Sequence, residues 1–145
     1  MLWVTRSQVR IDRVACPWLI TRFIDSEAEF LFVPASQVDS VSVDEGAIPF
    51  DAPGADLGRR GDMCTFDALI ERYGLEEPAL SLLAEIVRGA VTGAGVLHPA
   101  SAGLVAIAEG FSLRYPDDYS SIDRQYELYD SLYAWCRLQT APRIG

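Results

Sequence analysis

The sequence predicts an α/β fold: a small three-stranded sheet with flanking helices, followed by a helical C-terminal half packed on it. An α+β arrangement of the same elements stays open. Three observations lead there. Short apolar runs at Leu2–Thr5, Glu29–Val33 and Ala47–Phe50 alternate with helix-like segments in the first third of the chain. From Thr65 onward, apolar residues recur at helical spacing. The chain has 145 residues, 50% hydrophobic and 23% charged, which suits one domain over residues 1–145 with a core of its own.

The elements follow in order. Leu2–Thr5 reads as a short buried strand. After a polar connector, Cys16-Pro17-Trp18 is expected to open a helix, because proline suits the first helical position, where its missing N–H costs nothing. Trp18, Ile20, Phe23 and Ile24 supply its apolar residues, and Asp25 to Glu27 end it. Glu29–Val33 is the second strand, closed by Pro34; Ala35–Val41 suits one or two helical turns, and Ala47–Phe50 a short third strand. Asp51 to Cys64, with Pro53, Gly54, Gly58 and Gly61, is the longest irregular stretch, and long loops in compact domains tend to carry function. Thr65 is placed to cap a helix running to Tyr73, with Asp67 in its first turn and Gly74 ending it. Pro78 starts another, with Leu80, Leu83, Ala84 and Val87 on one face; Pro99 starts a third, with Leu104, Ile107, Ala108 and Phe111 at the same spacing. The last helix runs from Asp118 to Leu138, with Ile122, Tyr126, Tyr129, Tyr133 and Cys136 in line.

Charge and cysteine content narrow the function. The formal net charge is −9, so this domain alone is not expected to bind nucleic acid by general attraction. Every one of the 12 basic residues is arginine, which excludes lysine Schiff-base chemistry and the lysine-dependent phosphate loop. The start of the chain lacks the pattern of a signal peptide, and the uncharged stretch Ala90–Ala108 is interrupted by Gly93, His98 and Pro99, so no membrane span is expected. Three cysteines without a CxxC spacing suggest a reducing, cytoplasmic setting.

Candidate chemistry gathers early. Residues 1–24 hold Arg6, Arg10, Arg13 and Arg22 against Asp12 alone, in an otherwise acidic chain. A loop rich in arginine after the first strand suits an oxyanion pocket, because ligands of open α/β sheets bind beyond the carboxyl ends of the strands. The alternative is that these arginines simply pair with surface carboxylates. Cys16 and Cys64 each precede an expected helix start and have arginines nearby (Arg13 for Cys16, Arg59 and Arg60 for Cys64), an environment that favours thiolate; both are candidate catalytic thiols. The plain alternative is that they are small buried apolar residues, as Cys136 is expected to be. Asp51, Cys64 and Asp67 are weak metal candidates, since one thiol among carboxylates fits no common zinc or calcium pattern. No cofactor is predicted. His98, the only histidine, is expected at a helix boundary, and without a Gly-x-Ser-x-Gly motif nothing points to a serine hydrolase.

The ordered motifs carry a resemblance. Trp3-Val4-Thr5-Arg6, Asp12-Arg13-Val14-Ala15-Cys16-Pro17-Trp18-Leu19-Ile20, Glu29-Phe30-Leu31-Phe32-Val33-Pro34 and Pro49-Phe50-Asp51 open it. Gly61 with Cys64-Thr65-Phe66-Asp67, Ile86-Val87-Arg88-Gly89-Ala90 and Tyr129-Asp130-Ser131-Leu132-Tyr133-Ala134-Trp135 continue it. Together they resemble the chromate-resistance ChrB-type domain, the C-terminal part of longer proteins of that family. The resemblance implies an intracellular stress-response domain associated with bacterial chromate resistance, sensing or handling chromate or a sulfate-like oxyanion. On this reading Arg6, Arg13, Arg59 and Arg88 bind a tetrahedral dianion near Cys16 and Cys64. The alternatives are a thiol-dependent redox or transfer enzyme using Cys64, or a metal enzyme on the Asp51–Asp67 loop. The longer relatives also suggest docking to an N-terminal regulator domain or to a second copy, with Tyr126 and Tyr129 as candidate contacts. Relatives often carry a histidine in the loop before Cys64, where this chain has Arg59 and Arg60, which weakens a metal site there.

Overall fold

A computed structural model describes residues 1–8, 10–93 and 97–142. Strands β1 (Leu2–Arg6), β2 (Glu29–Val33) and β3 (Ile48–Pro49) form a parallel sheet in the order β2-β1-β3. Trp3 lies opposite Phe30 on one side and Ile48 on the other, which makes β1 the central strand. A central strand of a parallel sheet is covered on both faces and so reads as a continuous apolar run. Trp3, Val4 and Thr5 are accordingly all buried.

Between β1 and β2 the chain forms helix α1 (Asp12–Leu19) and a wider π-helical turn, Ile20–Ile24. Between β2 and β3 it forms a short 3₁₀ turn, Ala35–Gln37, and α2 (Val38–Glu45). The two helices cover opposite faces. Trp3 joins α1 in the main core, whereas Val4 packs with Val38 and Ala47 in a small second one. Beyond the Gly-rich loop come α3 (Thr65–Tyr73), α4 (Pro78–Thr92), α5 (Pro99–Arg114) and α6 (Asp118–Thr140). Their apolar faces join α1 in the main core through Phe66, Leu69, Leu80, Leu83, Leu104, Ile122 and Tyr129. The molecule is a mixed α/β fold with its helical half on the α1 face. Among the described residues no helix is long and apolar enough to cross a membrane.

Three expectations need correction. The first helix begins at Asp12, so Cys16 and Pro17 lie inside it and Cys16 is not at a helix N-terminus. Pro17 leaves the Arg13 carbonyl without its usual helical donor, and the winding widens after Leu19, where Asp25 N–H reaches back five residues to Ile20 O. Helix α3 is capped by Cys64 and not Thr65: the Asp67 carboxylate accepts the Cys64 N–H at 3.0 Å, and Gly74 ends the helix in the left-handed region. Ile107 is exposed on α5 while Leu104 and Ala108 are buried, because only one edge of that helix meets α4. The contact there is close: a Cβ on Gly89 would lie 2.6 Å from Ser101 Oγ, which itself donates to Ile86 O. Tyr126, Tyr129 and Tyr133 of α6 pack largely inward. Tyr129 is fully buried against Trp18, Tyr133 stacks near Trp18 and Phe23, and the Tyr126 hydroxyl meets Thr21.

Candidate functional site

The strand order puts the connection out of β1 on one side of it and β3 on the other, so a crevice opens beyond the carboxyl ends of β1 and β3. Arg6 closes β1 and Asp51 follows β3, so both stand at that crevice. A cavity of about 250 Å³ occupies it, and Arg6, Arg10, Arg13 and Arg59 line it together with Asp12 and Asp51. The four arginines come from the first strand, the following connector, α1 and the Gly-rich loop. Folding brings them together across 53 residues of sequence.

Asp51 is the organising group. It is buried and holds a left-handed backbone, φ 46°, which aspartate tolerates better than most residues. Its backbone carbonyl accepts Arg6 Nε at 2.8 Å. Its carboxylate accepts the Thr65 hydroxyl at 2.9 Å and longer contacts, both 3.4 Å, from Arg6 Nη2 and Arg13 Nη1. Arg13 Nη2 donates to Gln8 O at 2.8 Å, while its buried Nε has no partner among the described residues. Burial draws the Arg13 guanidinium below the usual arginine range. Arg10 and Arg59 make no hydrogen bond or ion pair among the described residues. The crevice therefore holds N–H donors and positive charge beyond what its carboxylates consume.

Asp12 stands at the start of α1 and is almost wholly buried. It accepts the Cys16 thiol at 3.2 Å and the Thr65 N–H at 3.1 Å, so Thr65 ties Asp12 to Asp51. Burial, with Asp51 beside it, raises its pKa to about 6. The sequence alone reads Asp12 as part of a polar connector. The signal that marks it is the spacing of Val14, Ala15, Trp18 and Leu19, which starts the helix before Cys16 and puts Asp12 in its first turn.

The cysteines sit in surroundings that oppose thiolate. Burial pushes the Cys16 thiol well up, with Asp12, Asp51 and Cys64 adding to it. Cys64 is likewise raised by burial and then by Asp12. Its thiol donates to Asp67 Oδ2 at 3.3 Å. The expected arginine neighbours are elsewhere: Arg59 lines the cavity, and Arg60 borders a separate one with Arg72 and Met63. Both thiols are fully buried, as is Cys136.

Arg88 is not at the cavity. It makes a two-pronged bond to Asp67, both contacts 2.9 Å, behind the start of α3. Asp51, Cys64 and Asp67 do not gather into one group: Asp51 meets Arg6 and Arg13, and Asp67 meets Arg88. Among the described residues no group of three or more His, Cys, Asp or Glu side chains is placed to hold a metal ion. His98 is a cap, its Nδ1 accepting the Ala100 N–H at 3.0 Å. Chemically, the crevice offers guanidinium forks suited to the planar O–X–O edges of an oxyanion.

Comparison with known proteins agrees with the motif order. The family described as ChrB, C-terminal domain, matches residues 3–136. The curated "Protein ChrB" of Cupriavidus metallidurans is 36% identical over 132 residues, covering 90% of this chain. The aligned stretch spans 39% of that relative's length. No solved structure matches the chain.

Proposed function

Because the chain belongs to the ChrB C-terminal domain family, we propose that it binds an oxyanion in the crevice beyond β1 and β3, as a chromate-responsive part of bacterial chromate resistance. One observation carries the reading: four arginines from separate segments meet at one cavity, and two of them, Arg10 and Arg59, are left without ion-pair partners among the described residues. Arg6 Nε and Arg13 Nη2 are anchored on backbone carbonyls at 2.8 Å, while their other contacts, to the Asp51 carboxylate, are 3.4 Å, long enough for an arriving dianion to compete for those N–H groups. Chromate and sulfate share the tetrahedral shape and double charge that such a set of guanidiniums suits.

The thiols stand behind this site. Fully buried and with raised pKa, they give no support to a thiol-dependent enzyme, and their work here is packing and hydrogen bonding to Asp12 and Asp67. Free, buried cysteines also fit a cytoplasmic setting. Arg88 is a structural partner of Asp67 on this reading, and the anion is held by Arg6, Arg10, Arg13 and Arg59.

Calorimetric titration with sulfate and then chromate at low ionic strength tests the proposal. Saturable binding is expected, weakening as salt rises, with Arg59→Ala weakening it about tenfold. Absence of saturable binding, or equal binding by a variant lacking both Arg10 and Arg59 side chains, would overturn it.

A further inference from the structure

The cavity has two unlike linings. Against the arginines, α4 and α5 present Ala90, Val91, Val105 and Ala108, with Glu109 and Ser112 at the edge. Ala90, Val91 and Val105 pack on the core with part of their surface and leave the rest open to the cavity. An inorganic tetrahedral anion uses only the guanidinium side. It displaces little more than two or three waters of about 30 Å³ each, so it leaves most of a cavity of about 250 Å³ unfilled. Apolar surface in a pocket gains from contact with an apolar group, by about 25 cal/mol for each Å² removed from water.

Glu109 sharpens the choice. It is exposed and makes no hydrogen bond or ion pair among the described residues, so it repels a ligand that carries negative charge at both ends. Asp51 does not play that part, because Arg6, Arg13 and Thr65 already engage its carboxylate. The anionic end of a ligand therefore belongs at Arg6, Arg10, Arg13 and Arg59, and its uncharged end at α4 and α5.

The geometry points to an organic anion as the ligand: one oxyanion head joined to an apolar body the size of a single ring or a short branched chain. This rests on the anion-binding reading above and names the class of molecule that fills the same site. An inorganic oxyanion then occupies the head position alone and binds more weakly.

A matched pair of probes tests it, methylphosphonate and phenylphosphonate, titrated at a pH above the second dissociation of both, where they share head and charge and differ in the apolar body. Titration calorimetry is expected to show phenylphosphonate binding about tenfold tighter or more. Val91→Ser and Val105→Ser, at half-buried positions, should each shrink that ratio, while Arg59→Ala weakens both probes alike and leaves the ratio as it was. Equal affinity for the two probes, or a ratio unmoved in both valine variants, overturns the inference. If methylphosphonate and sulfate bind and the phenyl group adds nothing, only this inference falls. If none of the three binds, the anion-binding reading falls with it.

Discussion

Two aspartates stand on either side of the start of α3, and arginine engages both. Asp67 is held in a closed arrangement: Arg88 grips it with two bonds of 2.9 Å, and the Cys64 N–H and thiol complete its shell. Asp51 is held in an open one, shared by Arg6 and Arg13 at 3.4 Å beside Arg10 and Arg59, which have no ion-pair partner among the described residues. The first arrangement uses up its donors in joining α3 to α4. The second leaves donors over, and it lies at the cavity. An arginine–aspartate pair thus tells little by itself; what distinguishes a joint from a binding site is whether the N–H groups are already spent.

The comparison breaks most visibly if the surplus donors are removed. Replacing Arg10 and Arg59 together with alanine should lower sulfate affinity about a hundredfold, with thermal stability little changed because neither side chain makes a hydrogen bond or ion pair among the described residues. Calorimetric titration beside a melting curve checks both halves. A large loss of stability with binding intact would make the open side structural after all.

The opposite change tests the closed side. Asp67→Ala removes the cap of α3 and strands Arg88, which should cost about 2 kcal/mol in denaturant unfolding and leave sulfate affinity as it was. Part of Arg88 faces solvent, so the ion pair itself contributes the smaller share. Arg88 and the Cys64 N–H hold the Asp67 pKa below the ordinary carboxylate value despite its burial. Its stabilisation is therefore present above that ordinary value and is lost as the pH falls through the lowered one. Asp67→Asn should remove this acid-side dependence.

A smaller effect separates the two sides by pH. Asp12 at the cavity takes up its proton near pH 6 in the folded chain and near 3.8 when unfolded, so the folded state binds the extra proton between those values. Stability contributed by the protonated form is full below about pH 4 and is lost as pH rises through about 6. Loss of that negative charge also favours an arriving anion. Sulfate, whose charge is constant over this range, should bind several-fold tighter at pH 5 than at pH 8, and Asp12→Asn should flatten the profile. An unchanged profile in Asp12→Asn would show that Asp12 does not face the anion.

Much of the fold was legible where local rules decide. The second strand has the bounds its apolar run implied, Glu29–Val33, and Pro78 and Pro99 begin their helices as a residue without an N–H should. The same rule misled at Pro17, where apolar contacts of Val14, Ala15 and Trp18 in the main core hold a helix that the proline alone argues against. In the site, Arg6, Arg10 and Arg13 stand out in the sequence as one arginine-rich segment, and Arg59 only as a neighbour of Cys64 in the Gly-rich loop. Arg88 was assigned to the same pocket and Asp12 to none, because each role depends on a neighbour distant in the chain.

The sequence by itself determined the order of elements, the arginine-only positive charge and the family, since periodicity, chain breakers and motif order are properties of neighbouring residues. Tertiary structure alone decided which carboxylate each arginine meets. Asp51 reaches Arg13 across 38 positions and Asp67 reaches Arg88 across 21. A guanidinium on a flexible stem takes whichever partner the packed helices deliver within hydrogen-bond reach. The packing of α3 against α1 and α4 therefore separates the closed pair from the open one.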